Sequence, residues 1–315
     1  MKSGNVPEST VAAGRPKPIG VAAVSRSRGV RHGILCMLLG VFCFAAMDGL
    51  VKWLAPRFPV MQIVFCRSFF AFLPIGLLVA REGGLAALRT RHPAGHAMRA
   101  LVGTGSLVCF IYAFGHMPLA DAVGIGFSAP LFITALSVPL LGESVGIRRW
   151  SAVLAGFVGV LVMVRPGSGV FEAAALVALA GTLFYALAMI FIRRLGRTEG
   201  TAAIAFYYTL TATIVSAAFL PFQWVTPSPA EAALLGIVGL IGGCAQLLVT
   251  AAFRGAPVAV VAPFDYTAML YVSIIGYVVW GDVPDGALFA GAGIVIASGL
   301  YILHRETRRA AAPMP

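Results

Sequence analysis

Long apolar runs separated by short polar segments occupy the chain from residue 33 to residue 304. Each run has roughly the 17–25 residues that an apolar α-helix needs to cross the hydrocarbon core of a bilayer. The pattern therefore predicts an all-α polytopic membrane protein. Ten transmembrane helices are expected, near residues 33–53, 59–80, 97–117, 118–141, 149–165, 171–193, 201–220, 231–253, 257–280 and 285–304.

The composition indicates that lipid is the main solvent for this chain. Of its 315 residues, 59% are hydrophobic and 11% are charged, whereas a soluble domain has about 25% charged residues. The five cysteines lie within apolar runs without metal-ligand spacing, and neither a G-x-x-x-x-G-K-[ST] phosphate loop nor an H-E-x-x-H zinc motif occurs. We therefore expect no cofactor, no metal and no enzymatic activity.

The net charge of +11 is spread in short clusters between the apolar runs, which indicates membrane topology rather than nucleic-acid binding. If the N-terminus is cytoplasmic, 19 of the 23 Lys and Arg residues fall in cytoplasmic segments. The cluster between the second and third spans consists of Arg81, Arg89, Arg91 and Arg99. This bias predicts a multi-pass protein of the bacterial inner membrane with both termini in the cytoplasm. We expect a disordered basic tail over 1–31 and a cytoplasmic tail over 305–315.

The two halves of the chain resemble each other. Pro118 matches Pro257, and the pair Gly142-Glu143 matches the pair Gly281-Asp282 at the same separation. Earlier in each half, Gly40 matches Gly181 and Lys52 matches Arg193. Each half holds five helices, and since five is odd the second half enters the membrane from the other side. The sequence thus predicts two inverted five-helix repeats, over 32–167 and 168–304, which is typical of carriers that alternate access around a central site.

These features resemble the drug/metabolite transporter superfamily, and within it the proteins with two EamA-type domains. The resemblance is carried by "APLFITALSVPLLGESVGIRRWSAVLAGFVGVLVMVRPG" at 129–167 and by the weaker second copy ending "WGDVPDGALFAGAGIVIASG" at 280–299. The second copy has Asp282 where the family usually has Glu. The resemblance implies ten helices, a substrate cavity between the halves, and transport of small organic metabolites without ATP.

A narrower resemblance suggests substrates. The stretches "MDGLVKWL", "FCRSFFAF" and "PLADAVGIGFSAPLF" look like a proteobacterial subgroup that includes S-adenosylmethionine and riboflavin carriers. The resemblance implies S-adenosylmethionine, riboflavin or an amino-acid-like compound as the substrate of a secondary transporter. Efflux of amino acids or drugs by the same fold is one alternative, and a membrane-embedded binding or assembly module without net transport is another. The expected partners are a small-molecule substrate and the bilayer, without nucleic acid, and the sequence is compatible with a homodimer.

Charged residues inside the predicted spans are the first candidates for a site, because a charge in hydrocarbon is costly. Asp48 lies in the first span, with Lys52 one turn later, and Arg67 lies at a similar depth in the second span. Asp48 has three interpretations: a surface pair with Lys52, a structural bridge to Arg67, or a cavity pair with Arg67 that binds or titrates with substrate. Arg67 has no acidic partner on its own helix, and its planar donors suit a carboxylate.

Other polar and aromatic residues within the spans are weaker candidates. Asp265 follows Pro263 in the ninth span, and either caps a helix break or titrates in the cavity. If a proton is coupled to transport, Asp48 or Asp265 is expected to carry it; exchange without ions is equally consistent with the sequence. The remaining candidate substrate-binding residues are Tyr112, Ser128, Pro130, Tyr185, Gln246, Phe264 and Tyr266. Of these, Ser128 and Pro130 are expected to open a kink in the fourth span.

Overall fold

The computed structural model describes residues 19–142, 145–165, 172–256 and 258–311, and within these ranges it is helical without any strand. Its α-helices are α1 (Ile19–Leu54), α2 (Val60–Arg81), α3 (Pro93–His116), α4 (Leu119–Gly126), α5 (Ala129–Leu141), α6 (Ile147–Val164), α7 (Glu172–Leu195), α8 (Thr201–Ala217), α9 (Leu220–Gln223), α10 (Pro229–Gly255), α11 (Val258–Val261), α12 (Thr267–Trp280) and α13 (Gly286–Ala311). Two 3₁₀ helices, Gly84–Leu88 and Ala262–Tyr266, accompany them.

The predicted all-α membrane architecture of about ten helices is confirmed. Nine described segments are long and apolar enough to cross a bilayer, and α8 is a shorter apolar helix that supplies the tenth crossing. α8 ends at Ala217, before the predicted residue 220, and Pro221 opens the short helix α9. Proline has no N–H for a helical hydrogen bond and fits only the first turn of a helix, which explains the early end.

The N-terminal segment differs from its prediction. The sequence predicts a disordered tail up to residue 31, but the backbone of α1 is helical from Ile19. Pro18 is the last proline before Pro56, so no proline between them interrupts the helix as it extends beyond the apolar run. At the other end, α13 continues from the last span to Ala311. The predicted tail residues 1–18 and 312–315 lie outside the described residues.

The fourth and ninth spans are both broken near their middle. The fourth consists of α4 and α5, with Pro130 in the first turn of α5, which confirms the predicted kink. In the ninth span the 3₁₀ helix Ala262–Tyr266, which contains Pro263, interrupts the helix before α12. The two breaks meet, because the rings of Phe127 and Tyr266 contact each other edge to face at 5.1 Å.

The helix packing repeats between the two halves. The first span (α1) packs on the eighth (α10), and the sixth span (α7) packs in the same way on the third (α3). The second span (α2) packs on the seventh (α8), and the fifth (α6) packs on the tenth (α13). Gly40 and Gly181, which are matched in the sequence, both allow a close approach between helices. An added Cβ at Gly40 would lie 2.8 Å from Val249 of α10, and one at Gly181 would lie 2.8 Å from Cys109 of α3. This arrangement is unchanged when the halves are exchanged.

The matched helix ends also agree. Gly142 ends α5 with a φ of 67°, and Gly281 ends α12 with a φ of 72°. Both are left-handed C-caps, a conformation that glycine adopts without strain. The face of the bundle where α1 begins and α13 ends is called the terminal face below, and the other the opposite face.

Candidate functional site

Asp48 points into the bundle from α1. The residue before it, Met47, packs on α10, and the residue after it, Gly49, packs on α12. Because successive residues turn by about 100° around an α-helix, the Asp48 side chain points between these two helices. Ala55, two turns later on the same face, packs on α3. The half-buried carboxylate therefore faces other helices rather than lipid.

Arg67 approaches Asp48 from α2. Its Nε donates a hydrogen bond to the Met47 sulfur at 3.3 Å, and its guanidinium lies beside α10, where Cβ of a side chain at Gly242 would be 3.7 Å from Nε. Arg67 interacts electrostatically with Asp48, but these two side chains form no ion pair within 4.0 Å. The predicted direct bridge between them is therefore absent, and the two opposite charges face the same region without neutralising each other in contact.

Lys52 has another partner. Its Nζ binds Asp282 at 2.6 Å and lies over the Trp280 ring, 4.9 Å from the centroid. The interpretation in which Lys52 neutralises Asp48 is wrong, because the loop after α12 supplies a closer carboxylate. This ion pair ties the end of the first span to the end of the ninth at the opposite face.

A second charged cluster lies nearer the terminal face. Arg99 on α3 places its guanidinium 4.0 Å from the ring centroid of Tyr208 on α8. Arg99 also interacts electrostatically with Tyr185 of α7. The sequence counts Arg99 among the loop charges, but α3 begins at Pro93, so Arg99 lies within the span.

Asp265 joins this second cluster through Tyr185. The carboxylate interacts electrostatically with Tyr185 and with the adjacent Tyr266. Asp265 is exposed and Tyr185 is 43% exposed, although Tyr185 is one turn from Gly181, which packs on α3. Exposure between packed helices indicates a solvent-accessible cleft. Arg99, Tyr185, Tyr208 and Asp265 are called the Arg99 cluster below.

The two charged regions occupy equivalent places in the repeat. Tyr208 follows Arg67 by the same separation as Gly181 follows Gly40, and Gly242 follows Gly103 by the same separation as Pro257 follows Pro118. Gly103 packs on the Tyr208 ring as Gly242 packs on Arg67. The charges themselves are not symmetric, because Arg67 on α2 and Arg99 on α3 both belong to the first repeat, and Tyr208 stands in the second repeat where Arg67 stands in the first.

Tyr112 lies apart from both charged regions. Its ring stacks on His116 of the same helix at 4.0 Å. It also lines a shallow apolar cavity of about 290 Å³, which has no charged side chain. The residues lining that cavity are Val60, Val108, Cys109, Tyr112 and Val177. Tyr112 is therefore separated from the charged residues that the sequence groups with it as candidates.

The two kink residues have structural partners. Ser128 is fully buried and donates its hydroxyl to the Ile125 carbonyl at 2.6 Å. The Pro130 carbonyl accepts from the Thr134 hydroxyl at 2.8 Å. The Ser128 hydroxyl and the Pro130 carbonyl thus both form hydrogen bonds within the fourth span. The kink shapes the helix bundle, and these two groups already have partners there.

The remaining predicted residues divide between cleft and packing. Gln246 is exposed and lies one turn from Gly242 on the face of α10 that carries the Arg67 contact. Phe264 packs on the apolar cluster of α1 and α10. Tyr266 packs on Phe127, and its hydroxyl lies directly against the position that a Cβ at Gly299 would take.

A polar network around Glu199 lies at the terminal face. Its carboxylate binds His96 of α3 at 3.4 Å, with both side chains 3% exposed, and accepts from the Arg91 amide at 3.1 Å. Burial raises the pKa of Glu199, but hydrogen bonds from the Arg91 amide and from the His96 and Thr90 side chains outweigh it and hold the pKa below its usual value. The His96 ring also packs on Tyr207 at 4.8 Å, next to the Arg99 cluster.

Arg99 is the residue that sequence reasoning missed. A single arginine near a span end is counted as a topology charge, and only the packing of α8 on α3 brings an aromatic ring to it. Among the described residues no group of three or more His, Cys, Asp or Glu side chains is placed to hold a metal. The side chains described above as candidate site residues are mainly charged and aromatic.

Comparison with known proteins agrees with this architecture. The sequence profile of the EamA-like transporter family matches residues 31–165 and again residues 172–303. The chain belongs to the EamA-like transporter family. Two matches in one chain fit the repeated packing, and they place this protein among transporters rather than enzymes.

Curated relatives of this EamA-like transporter match over nearly their whole length. A pseudopaline exporter of Pseudomonas aeruginosa is 32% identical over 89% of this chain and 98% of that protein. A riboflavin transporter of Rhizobium johnstonii is 29% identical, covering 92% and 97%, and an S-adenosylmethionine uptake transporter of Rickettsia prowazekii is 27% identical, covering 88% and 94%. One solved crystal structure has the same fold, with a TM-score of 0.60 at 20% identity over 88% of this chain and 98% of that one.

Proposed function

We propose that this transporter is a secondary carrier for a small zwitterionic organic metabolite, which it moves by alternating access. The observation that supports this proposal is the placement of two arginines and two aspartates within the spans, contributed by both halves. Among the described residues, Asp48, Arg67, Arg99 and Asp265 form no ion pair within 4.0 Å.

Charges in a membrane interior need water or a partner, since an unpaired ion there costs several kcal/mol or more. A substrate with both an anionic and a cationic group supplies a partner for each sign. S-adenosylmethionine and amino-acid-like compounds carry a carboxylate and an ammonium group, and a planar adenine would stack on tyrosine. Riboflavin is neutral and cannot form an ion pair with either the arginines or the aspartates, so we consider it a weaker candidate than the zwitterionic compounds.

The protein is proposed to lie in the bacterial inner membrane with both termini in the cytoplasm. The excess of Lys and Arg on the terminal side supports this orientation. Fusing alkaline phosphatase to the C-terminus or to the loop after Asp282 tests it. An active enzyme is expected only at the loop, and activity at the C-terminus would reverse the orientation.

Transport is tested with the purified protein in proteoliposomes. Labelled S-adenosylmethionine, amino acids and riboflavin are offered under a pH gradient and, separately, to vesicles preloaded with unlabelled compound. Uptake of a zwitterion above that of empty liposomes is expected. Absence of flux for every compound under both conditions would overturn the carrier proposal, and flux of riboflavin alone would overturn the zwitterion.

The same vesicles decide between proton coupling and exchange. If Asp48 or Asp265 carries a proton, replacing it by Asn abolishes uptake driven by the pH gradient and leaves preloaded exchange. Equal loss of both modes assigns the residue to substrate binding instead. The relatives include an exporter and an uptake transporter, so net direction is measured in oriented vesicles.

A further inference from the structure

Arg99 carries the strongest unmet hydrogen-bonding demand among the described side chains. Its Nε and Nη1 atoms are buried and have no hydrogen-bond partner. A guanidinium stays charged in proteins and presents five donors. Buried donors that stay unpaired are unfavourable, and the more so on a charged group.

The surroundings hold the guanidinium in place without satisfying it. Tyr208 covers one face at 4.0 Å through a cation–π contact, which uses the ring and no N–H group. Gly103 allows this close approach, since a Cβ there would lie 3.2 Å from Nη1 and 3.0 Å from the Tyr208 ring. A planar donor fork is therefore held between Gly103 and the Tyr208 ring, and its Nε and Nη1 have no acceptor.

The group faces the cleft and not the lipid. Gly103 on α3 packs on α8, and Gly105 packs on Phe184 of α7, so Arg99 lies between two helices of the other half. The side chain of α7 that interacts with Arg99 is Tyr185, which is 43% exposed and also interacts electrostatically with Asp265. Arg99 as a whole is half-buried, so we expect a ligand to approach it from the side of Tyr185.

We propose that Arg99 is the subsite for a carboxylate of the transported metabolite, with Tyr208 as the positioning residue that orients the guanidinium. Planar carboxylates match the donor fork in a bidentate way. Asp265, beyond Tyr185, then receives the cationic end of the same molecule. The proposal rests on the proposed function for the identity of the ligand, but the anion subsite itself is tested without transport.

The test uses propionate, its neutral isostere propionamide, and inorganic phosphate on the purified full-length protein in detergent at constant ionic strength. The thermal unfolding midpoint of the wild type is expected to rise by roughly 2–4 °C at concentrations well above the dissociation constant of propionate. Propionamide is expected to have no effect. Arg57→Gln, which removes a charge from the opposite face outside the proposed site, is expected to keep the shift, and Arg99→Gln to lose it.

Two further variants keep the result interpretable. Arg99→Lys retains the charge without the planar fork and is expected to give less than half of the wild-type shift, which covers the case in which Arg99→Gln does not fold. Tyr208→Phe keeps the ring and the shift, whereas Tyr208→Leu reduces the shift, a difference that a merely structural tyrosine would not produce.

Equal stabilisation of Arg99→Gln and wild type by propionate, no propionate shift in the wild type, or a larger shift with phosphate than with propionate would each overturn the carboxylate subsite. If propionate raises the unfolding midpoint but the protein transports no compound of the panel, the carboxylate subsite is supported and the carrier proposal is overturned. If the protein transports a compound of the panel but propionate does not raise the unfolding midpoint, the carrier proposal is supported and the carboxylate subsite is overturned.

Discussion

Single charged residues in this protein differ in whether the fold neutralises them. Lys52 has a carboxylate at 2.6 Å and an aromatic ring beside it, so its charge is used within the fold. Asp48 and Arg99 have no such ion pair among the described residues. A charge in a membrane interior without a fixed partner is by default a functional-site hypothesis, and we propose this role for both residues. The sequence identifies Asp48 by its depth in a span, but it cannot show that Lys52 turns to another helix.

Replacing Asp48 by Asn is expected to lower the transport rate by roughly 10- to 100-fold, since a hydrogen bond to a charged group contributes about 1.5–3 kcal/mol. Initial uptake rates in proteoliposomes check this. Asp285→Asn, at the opposite face, is the matched control and is expected to retain transport. A wild-type rate in Asp48→Asn, with normal insertion and yield, would return Asp48 to a structural role.

The Glu199 network predicts acid sensitivity of the terminal face. The folded-state pKa of Glu199 is lowered, so its stabilising effect is complete above the unfolded value of about 4.3 and is lost as the pH falls through the folded value. Glu199→Gln is expected to be less stable than wild type at neutral pH and to lose less stability on acidification. Thermal unfolding midpoints from neutral pH to below pH 4 measure this, and parallel curves for the two proteins would contradict it.

The positions of the helices can be predicted from the sequence, but the contacts between them cannot. The spans follow from apolar length, and the break of the fourth span from Pro130, so both are predictable. Which faces touch depends on small residues: Gly236, Gly239 and Gly243 let α2 lie against α10. A glycine in an apolar run predicts a close approach but not the partner, and for this reason the Arg67–Gly242 and Arg99–Tyr208 contacts could not be derived from sequence.

Adding one methyl group at Gly239 is expected to disturb the α2–α10 interface. Its Cβ would lie 2.6 Å from Cβ of Phe70 and 2.8 Å from the Arg67 carbonyl, and a backbone atom cannot move aside cheaply. Gly239→Ala is expected to destabilise the protein by about 1–3 kcal/mol. Gly76→Ala on α2, where nothing lies within 4 Å, is the control and is expected to be neutral or stabilising by up to about 1 kcal/mol. Equal unfolding midpoints for the two variants would contradict this prediction and would show that the α2–α10 interface accommodates the added methyl group.

At the scale of the whole molecule, every major interface of the bundle is shared between the two repeats. The first span belongs with the eighth and the third with the sixth, so neither repeat moves as a closed unit. We expect that motion between the group around α1 and α10 and the group around α3 and α7 opens one face and closes the other. The sequence predicts the repeat through its matched Pro and Gly residues, while the grouping of helices across the repeats emerges only from packing.

At the opposite face these two groups touch where α1 meets α3. A Cβ built at Gly115 would lie 2.9 Å from Cβ of Ala55, a little closer than the roughly 3.5–4.5 Å of a disulfide, so a slight separation of the helices lets a bond form. In a background without native cysteines, oxidation of Ala55→Cys/Gly115→Cys is expected to reduce transport by at least about tenfold, and reduction to restore it. Each single-cysteine variant serves as the control. Undiminished transport with the cross-link formed would mean that α1 and α3 stay together throughout the cycle, and the opening would have to be sought between other helices.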